Sequence, residues 1–525
     1  MIFALLSLLA ADPPRPNVLL ILADDMGYSD VGCYGGEIET PHVDALAAAG
    51  LRFTRFHNAG RCCPTRASLM TGLHPHEAGI GHMTAPPGQP LGFSGPYQGH
   101  LNDRCVTLAG VLREAGYRTA IAGKWHLGAN ARADFPLQRG FDDFYGGLSG
   151  AFNYFRPGGD RGITRGNDPV DTPDGWYATD AFADAAGDSA AAAVEEGRPF
   201  FVYLAFNAPH WPLNVLPEDF RKYRGRYSTG WTPMREARLR RQKELGLFDA
   251  DVTPAPQVGP DWASLTDEQR DHLDARMAAY AGCVEAMDRG IGRVLARLEE
   301  LGVADDTLVL FLSDNGACQE GGDFGSGTEE SILNPPLETT AGPRLGRFWA
   351  NACNTPFRLY KHFVHEGGAC TPLVVRWPAG IPARRNGSLE RSVAYLPDVM
   401  ATCLDVCGAT YPAGAPPAAG RSMAGVLSGA ADRIHEEALF FEHEGHAAVI
   451  DGDLKLVREY RKPWELYDLA ADPTEMSNLA AARPRVRDAM VADWEAWADR
   501  TGVAYPQRFD MYRFLKDRRE KAAKE

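Results

Sequence analysis

The chain has 525 residues, of which 45% are apolar and 23% are charged, which is typical of a globular protein and excludes a disordered one. The length predicts about two or three domains. The formal net charge of −15 excludes nucleic acid as an expected partner, because phosphate binding needs a basic surface.

The first eleven residues form a short, largely apolar segment that is followed by a polar, proline-rich stretch. This pattern is typical of a signal peptide and predicts one at residues 1–11, hence an exported protein, periplasmic or extracellular. A buried first strand is the alternative interpretation of the same run. No segment of the sequence approaches the ~20 apolar residues of a membrane span, so no span is expected.

Short, continuous apolar runs alternate with helical patterns as far as residue 377. They indicate an α/β fold with a mainly parallel sheet between helices. Polar residues follow the strand ends, where open α/β sheets place their sites. A Gly, Pro and Thr rich segment at 318–352 predicts a long loop near that site. The predicted strands lie at 16–23, 117–122, 199–206, 307–313 and 371–377, and the predicted helices at 106–115 and 265–301.

The pattern changes after a Gly, Ala and Pro rich stretch at 412–417, which predicts a linker. Short runs then predict antiparallel strands, and a proline-initiated pattern predicts a helix at 484–501. These elements indicate a small α+β domain with an antiparallel sheet. The predicted strands lie at 438–442, 447–451 and 454–457. The predicted domains are a large α/β domain at 16–425, a C-terminal domain at 426–510 and a charged tail at 511–525.

A cysteine pair opens the most specific segment, which reads CCPTRASLMTG over residues 62–72. It resembles the signature C-x-P-S/T-R-x-x-L-x-T-G of the sulfatases, whose first cysteine is oxidised to formylglycine by a formylglycine-generating enzyme. Only Cys62 has a proline two positions on and an arginine, Arg66, four positions on; Cys63 lacks that spacing. The resemblance therefore implies Cys62 as the nucleophile precursor. Without further motifs, a buried structural cysteine would be the better interpretation.

The chemistry of sulfate transfer also favours an aldehyde at this position. A thiol is poorly suited to attack sulfur and be regenerated by water, whereas a hydrated aldehyde has two hydroxyls. One hydroxyl can attack sulfur, and the other can expel sulfate as the carbonyl re-forms. A helix that begins after Pro64 would direct its N-terminus at the developing negative charge.

Two acidic pairs each follow an apolar strand, namely Asp24 with Asp25 and Asp314 with Asn315. Oxygen ligands without His or thiolate favour a hard cation, and we expect Ca²⁺, with Mg²⁺ as the alternative. A single pair of this kind would be interpreted as a cap or turn. Both pairs match positions that bind calcium in sulfatases, and the resemblance implies that the modified Cys62 also contacts the ion.

The run GYRTAIAGKWHLG at 116–128 resembles the second sulfatase signature, G-Y-x-T-x-x-x-G-K-x-H. Lys124 and His126 are two positions apart, so they share one face if the segment is extended. The resemblance implies that Lys124 contacts the nucleophile and the sulfate. It implies that His126 orients the second hydroxyl and takes its proton during elimination.

Two further segments match the family in order. The run NAPHWP at 207–212 resembles the segment whose histidine, His210 here, contacts the leaving-group oxygen. A stretch at 354–368 resembles N-x-P-x-R-x-x-K-x-x-x-x-E-G-G and implies Lys361 as a sulfate-binding lysine. Two histidines of this stretch are not carried over from the family, and we expect them at a helix surface or a pocket rim: His362 and His365.

The chain thus resembles a type I sulfatase of the alkaline phosphatase superfamily over residues 17 to about 500. The resemblance implies an alkaline-phosphatase-like α/β domain at 16–425 as the catalytic domain, with a mainly parallel mixed sheet between helices. It implies that Asp314 activates the nucleophile, and that cationic side chains and the metal offset charge on the transferring group. The residues with implied substrate or charge contacts are Arg66, Lys124, His210 and Lys361.

The expected reaction is hydrolysis of an aryl or carbohydrate sulfate, with a sulfated small molecule or glycan as substrate. Two alternatives stay open: a phosphonate monoester or phosphodiester hydrolase of the same superfamily, and an unmodified, non-catalytic binding homologue. Three tryptophans could stack on a substrate ring, although packing is their commoner role. The basic run at 235–243 is expected as a solvated helix face. The tryptophans are Trp211, Trp231 and Trp349.

Overall fold

The computed structural model describes residues 15–85 and 93–504. The predicted signal peptide at 1–11 and the predicted tail at 511–525 lie outside the described residues. Within the described ranges, the strands form a large sheet of eleven strands and a small sheet of four. The large sheet consists of β1 Asn17–Ala23, β2 Leu51–His57, β3 Arg118–Gly123, β4 Asp143–Gly147, β5 Ile163–Arg165, β6 Asp168–Val170, β7 Phe200–Ala205, β8 Thr307–Ser313, β9 Cys370–Arg376, β10 Ser388–Glu390 and β11 Ala394–Tyr395.

The large sheet is mixed and mainly parallel at its centre. Its strand order is β10-β2-β9-β8-β1-β7-β3-β4-β5-β6, with β11 beside β2. Strands β8, β1, β7, β3 and β4 are parallel to one another, whereas β9 is antiparallel to both β8 and β2, and β5 is antiparallel to β4. Side chains of β1 alternate between two cores, with Leu19 on one face and Leu20 on the other. A strand buried on both faces needs a continuous apolar run, which is the pattern that predicted β1.

Helices cover both faces of the large sheet. The α-helices of the described residues are α1 Pro41–Ala48, α2 Cys62–Thr71, α3 Pro75–Ala78, α4 Leu108–Glu114, α5 Ala178–Glu195, α6 Pro217–Tyr223, α7 Trp231–Glu244, α8 Asp267–Glu300, α9 Glu329–Leu333, α10 Arg347–Cys353, α11 Glu366–Ala369, α12 Leu396–Val406, α13 Ala424–Ser428 and α14 Pro484–Thr501. Helix α8 packs against α1, α5 and α6, while α2, α4 and α12 pack together on the opposite face. A capping box between Thr266 and Gln269 starts α8, as its sequence favours.

The small sheet follows the large one in the chain and is entirely antiparallel. Helix α14 covers one face through Trp494 and Trp497. The other face buries Val457 against Tyr395 of the large domain. The predicted fold class is therefore confirmed, whereas the domain boundary at residues 425 and 426 stays a prediction. The strands are β12 Leu439–His443, β13 His446–Asp451, β14 Leu454–Arg458 and β15 Glu465–Asp468.

One local expectation is wrong, and another holds only in part. The segment 318–352 is not a continuous loop, because it contains α9 and most of α10, and Thr328 caps α9 by accepting from the Ser331 N–H. The basic run on α7 is a solvated face only in part, because Arg240 and Arg241 are exposed whereas Arg235 and Arg238 are buried, and Arg238 pairs with Asp30. Among the described residues, none of the helices combines the length and the apolar character that crossing a bilayer requires.

Candidate active site

Four strand ends meet at one edge of the large sheet. Strands β8, β1, β7 and β3 are parallel neighbours, so their carboxyl ends lie side by side. Asp24 follows β1, Asp314 follows β8 and Lys124 follows β3, while His210 lies in the turn after β7. The alternation of strands and helices thus brings residues from four distant segments to the edge where open α/β sheets place their sites.

The two acidic pairs form one buried group of oxygen atoms. The Asp25 N–H donates to Asp314 Oδ1 (3.1 Å), and Asn315 Nδ2 donates to Asp25 Oδ1 (2.7 Å). Asp24 Oδ1 and Asn315 Oδ1 are buried without a hydrogen-bond partner among the described residues. Because a buried oxygen without a partner costs free energy, these atoms fit a hard cation that would bind them.

The pKa values of these carboxyls reflect the same environment. Burial, and next the charge of Asp314, raise the pKa of Asp24 well above its ordinary value. Burial also raises the pKa of Asp314. Burial opposes ionisation of Asp25 as well, but Lys361 together with His210 and Lys124 outweighs it and holds the pKa of Asp25 below its usual range. A bound cation would stabilise the ionised carboxylates that burial otherwise disfavours.

Each carboxylate of the group is paired with one buried cation. Arg66 also donates through Nη1 to the Lys124 carbonyl oxygen (2.9 Å), which links α2 to the end of β3. A fully buried cation is costly unless it is paired, so each pair holds its two side chains in place. The pairs, with their N···O distances, are Lys124 with Asp24 (2.5 Å), Lys361 with Asp25 (2.7 Å) and Arg66 with Asp314 (2.9 Å).

Cys62 is buried and is the first residue of α2. The helix begins there and not after Pro64, because a proline is tolerated in the first turn, where its missing N–H loses no helical bond. The sulfur atoms of Cys62 and Cys63 and a ring nitrogen of His126 all lie within 4.8 Å of one another. A hydrogen bond with Cys63 lowers the pKa of the Cys62 thiol well below its usual value, and nearby positive charges outweigh the opposing effect of burial.

The two histidines named by the motifs are neutral near pH 7. Burial lowers the pKa of His126 to about 4 and that of His210 to about 3. His210 Nδ1 lies 2.6 Å from the Trp211 carbonyl oxygen, and His210 Nε2 lies 3.4 Å from Asp25 Oδ2. The His126 backbone is left-handed (φ 58°), and a Cβ at Gly150 would lie only 2.7 Å from its ring, so the ring has little freedom.

A cavity of about 170 Å³ opens onto this centre. Arg66 does not line the cavity. It is fully buried and donates to Asp314, so its charge acts on the centre through that carboxylate. The structure thus brings the residues predicted to act in catalysis and metal binding to one centre, but only part of that set faces the cavity. The motif residues that line the cavity are Cys62, His126, His210 and Lys361.

The mouth of the cavity includes residues that the motifs did not identify. Arg61 Nη2 lies 3.1 Å from Glu320 Oε1, and Trp211 Nε1 donates to Glu320 Oε2 (2.7 Å). The Arg344 guanidinium stacks 4.3 Å from the centre of a Trp211 ring. Glu320 and Arg344 belong to the Gly, Pro and Thr rich segment 318–352, whose composition predicts a loop but does not indicate a role in substrate binding.

Packing, the commoner role expected for the tryptophans, holds for two of them, and one expectation about a histidine is wrong. Trp231 and Trp349 are buried in the core, 5.7 Å apart, and cannot stack on a substrate, whereas Trp211 lines the cavity. His365 is fully buried and lies 3.4 Å from Glu465, so the surface or rim position is wrong for it. Bulky aromatic and imidazole rings signal burial as readily as binding.

Comparison with known proteins agrees with this geometry. The family model described as Sulfatase matches residues 16–409, and that described as N-sulphoglucosamine sulphohydrolase, C-terminal, matches residues 357–492. The chain is 34% identical to an uncharacterised sulfatase of Schizosaccharomyces pombe, over 94% of this chain and 95% of that protein. It is 34% identical to an arylsulfatase of Klebsiella aerogenes, over 76% of this chain and 88% of that protein.

A solved structure supports the same assignment at the level of the fold. The crystal structure of Ps i-CgsB in complex with k-i-k-neocarrahexaose has a TM-score of 0.70 at 25% identity, covering 92% of this chain and 93% of that one. The Sulfatase match spans the whole buried centre, from Asp24 to Lys361. The chain belongs to the sulfatase family, the sulfuric ester hydrolases built on the alkaline-phosphatase-like fold.

Proposed function

We propose that this enzyme hydrolyses aryl or carbohydrate sulfate esters with a formylglycine made from Cys62 as its nucleophile and with Ca²⁺ as its metal ion. One observation carries the proposal: Cys62 lies at the same buried centre as two strand-end acidic pairs with unpartnered oxygens. A thiol needs no hard-cation site beside it, whereas a hydroxyl that attacks sulfur does.

The ion would be held by Asp24, Asp25, Asp314 and Asn315, with the modified side chain at position 62 as a further contact. We prefer Ca²⁺ to Mg²⁺ because Mg²⁺ usually keeps several waters, whereas Ca²⁺ accepts many protein oxygens. When bound, the ion would supply Lewis-acid stabilisation of the charge on the sulfate group. All other steps rest on side chains of this chain.

In the first step, Asp314 accepts a proton from one hydroxyl of the hydrated aldehyde. The oxygen of that hydroxyl attacks sulfur, and the bond between sulfur and the alcohol oxygen breaks. Arg66 positions Asp314, and Lys124 and Lys361 offset the charge of the sulfate. His210 protonates the leaving oxygen. Its Nδ1 faces the Trp211 carbonyl, so Nε2 is the atom that must gain and donate the proton, and a bound sulfate ester would favour that gain by raising the pKa of His210.

In the second step, His126 accepts the proton of the remaining hydroxyl. The carbon–oxygen bond to sulfate breaks, the aldehyde re-forms, and water hydrates it again. A neutral imidazole is needed for this role, and burial holds His126 neutral with its pKa at about 4. Its restricted ring is suited to a single proton transfer.

The substrate class is part of the proposal. Trp211, Arg61 and Glu320 at the cavity mouth would meet the alcohol part of the ester, and an indole face suits a sugar or an aryl ring. The relatives include an arylsulfatase and a structure bound to a neocarrahexaose, so both classes stay in the proposal. We also propose export to the periplasm or the extracellular space, which the pattern of residues 1–11 predicts.

The decisive experiment is the mass of the tryptic peptide that contains residue 62. The full chain is produced with and without a co-expressed formylglycine-generating enzyme. We expect the aldehyde mass at residue 62 only with co-expression, and activity in proportion to it. A free thiol or a disulfide in an active preparation would contradict the proposal.

A substrate comparison tests the reaction class. The modified enzyme is assayed side by side with an aryl sulfate and an aryl phosphonate monoester. We expect kcat/KM for the sulfate to exceed that for the phosphonate by at least about 10²-fold, equivalent to roughly 3 kcal/mol of transition-state discrimination. The opposite ratio would make the enzyme a phosphonate hydrolase.

A further inference from the structure

A histidine-rich turn of the small sheet reaches the large domain beside the active centre. His443 and His446 face each other as the last pair of strands β12 and β13. Between them, Glu444 and Gly445 both have positive φ (50° and 87°), as a tight hairpin turn requires. The turn therefore presents the Glu444 carboxylate and the His443 ring together, on the side of the large domain.

Two histidines of the large domain meet this turn. His362 Nδ1 lies 3.2 Å from Glu444 Oε2, and His82 Nδ1 lies 2.7 Å from Glu444 Oε1. His443 Nε2 lies 3.7 Å from Glu444 Oε1. One ligand-type atom from each of His362, His443 and Glu444 lies within 4.8 Å of the others. Side chains from three separate segments of the chain, at His82, at His362 and at His443 with Glu444, thus converge.

His443 is the residue of this cluster whose hydrogen-bonding atoms are least satisfied by the protein. His443 is fully buried, and neither ring nitrogen has a hydrogen-bond partner among the described residues. A buried imidazole without a partner is costly, so a native structure satisfies such a group with a bound ion or water. The Nε2 atom is aimed at the Glu444 carboxylate but is too far away for a good hydrogen bond.

The distances and the donor types favour a transition metal. A tetrahedral zinc ion with bonds of ~2.0–2.1 Å holds its ligand atoms ~3.3–3.5 Å apart. His362 Nδ1 lies 3.2 Å from Glu444 Oε2 and His443 Nε2 lies 3.7 Å from Glu444 Oε1, so both rings lie near that spacing from the carboxylate. Imidazole and carboxylate together suit Zn²⁺, whereas Ca²⁺ takes oxygen ligands. Burial lowers the pKa of His362 to about 4 and that of His443 well below its usual range, which keeps both rings in the neutral, ligating form.

We propose that His362, His443 and Glu444 form a second metal site, of the zinc class, in which His82 positions the carboxylate. The His362 side chain is 16% exposed, which leaves a path for an ion. The His362 N–H donates to the Gly60 carbonyl oxygen (2.7 Å), close to Cys62, and Lys361 precedes His362. The metal would therefore tie the small sheet to both segments that carry the reaction.

The test uses Co²⁺ as a visible probe of tetrahedral nitrogen and oxygen coordination. The full chain is stripped with chelator, dialysed and titrated with Co²⁺, and its zinc content as purified is measured. We expect one tetrahedral Co²⁺ per chain, displaced by Zn²⁺. The absorption must persist in Cys62→Ala, which removes one member of the alternative ligand set Cys62, Cys63 and His126 at the active centre. Wild-type chain with neither zinc nor tetrahedral Co²⁺ would overturn the proposal.

Matched variants assign the ligands. We expect His443→Gln and His362→Gln each to weaken Co²⁺ binding at least about 100-fold, since even outer partners of metal ligands contribute 10–100-fold. His446→Gln is the control, because His446 lies in the same cluster but its Nδ1 accepts from the Tyr460 N–H (3.1 Å). Unchanged binding in both ligand variants, or equal loss in the control, would refute the site. If one ligand variant does not fold, the other and the wild-type titration still decide.

Discussion

The enzyme contains two buried clusters of charged groups that differ in how their carboxylates are paired with cations. In the active centre, Asp24, Asp25 and Asp314 are each paired with a cation, yet Asp24 and Asn315 keep an oxygen without a partner. That cluster is incomplete as a set of protein side chains.

The second cluster lies where the small sheet meets the large domain and is built around one lysine. Lys455 Nζ lies 2.6 Å from Glu366 Oε1 and 2.9 Å from Glu475 Oε1. His57 Nε2 lies 3.0 Å from Glu366 Oε1, and the Glu366 N–H donates to Glu475 Oε2 (3.0 Å). Glu475 Oε1, despite its ion pair, and His57 Nδ1 have no hydrogen-bond partner among the described residues, so this cluster also contains unpartnered atoms. The comparison teaches that an unpartnered buried atom does not by itself mark chemistry; the active centre differs because each carboxylate has its own cation and the unpartnered oxygens belong to residues that fit a metal ion.

The largest expected effect comes from replacing Cys62, the precursor of the proposed nucleophile. We expect Cys62→Ala and Cys62→Ser to lower kcat by at least about 10⁴-fold, because Ala has no nucleophile and Ser lacks the second hydroxyl that expels sulfate. Cys63→Ala, the adjacent control, should retain activity within about 10-fold. Initial rates on an aryl sulfate give both numbers. Equal loss at both positions would show that the assigned spacing is wrong.

Removal of the metal should have the next largest effect. Chelation is expected to lower kcat by about 10³-fold, since Lewis-acid stabilisation contributes several kcal/mol. Ca²⁺ should restore activity better than Mg²⁺ at equal concentration, which kinetic titration measures. An enzyme that keeps full activity after exhaustive chelation, with its metal content verified as zero, would disprove the calcium site.

A matched pair of lysine variants sharpens the comparison between the two clusters. Lys361→Met should lower kcat/KM by about 10²–10³-fold with a small change in stability when Ca²⁺ is present, because the ion still offsets Asp25. Lys455→Met should instead lower the free energy of unfolding by about 3–5 kcal/mol, because it leaves two carboxylates buried without a cation. Steady-state kinetics and denaturant unfolding of both variants separate a catalytic role from a structural one. If both variants changed kcat/KM and the free energy of unfolding to the same extent, the two clusters would not differ in role.

The smallest expected effect is on the pH dependence of stability. Burial opposes ionisation of Glu366, but Lys455 and then His57 outweigh it and hold its pKa below the ordinary value of 4.5; Glu475 and Cys370 also face it. The unfolded chain therefore binds more protons, so this contribution is present above pH 4.5 and is lost as the pH falls.

The measurement is the slope of the free energy of unfolding against pH. We expect Glu366→Gln to reduce that slope by about 1 kcal/mol per pH unit below pH 4.5. Asp305→Asn, at an exposed ion pair, is the control and should leave the slope unchanged. A Glu366→Gln variant with the wild-type slope would mean that the second cluster does not titrate as its pairing implies.

Much of the fold was predictable because buried parallel strands leave continuous apolar runs. The run that predicted β8 has the bounds of the observed strand, and α14 also has its predicted bounds. Strand β2 was missed because Arg52 and Arg55 interrupt its apolar pattern, and β15 because it has only four residues. Antiparallel edge strands carry weaker patterns than central ones.

The candidate site was predictable where a short motif carries the chemistry, and not where pairing is distant. The spacing around Cys62 is local and readable. The burial of Arg238 is not, because its partners Asp30 and Glu37 lie about 200 residues away. The same limit applies to the cluster around Glu444, whose residues His82, His362 and His443 come from three separated segments. Sequence patterns report neighbours along the chain, whereas sites of this kind are made by neighbours in space.

The burial of Cys62 in the first turn of α2 has a consequence for the order of events in biosynthesis. Only 1% of Cys62 is exposed, and helical backbone surrounds it on its C-terminal side. A modifying enzyme that must grip an extended peptide could not reach this sulfur in the finished molecule. Oxidation would have to occur on the nascent or translocating polypeptide, so a molecule that folds too soon would be permanently inert.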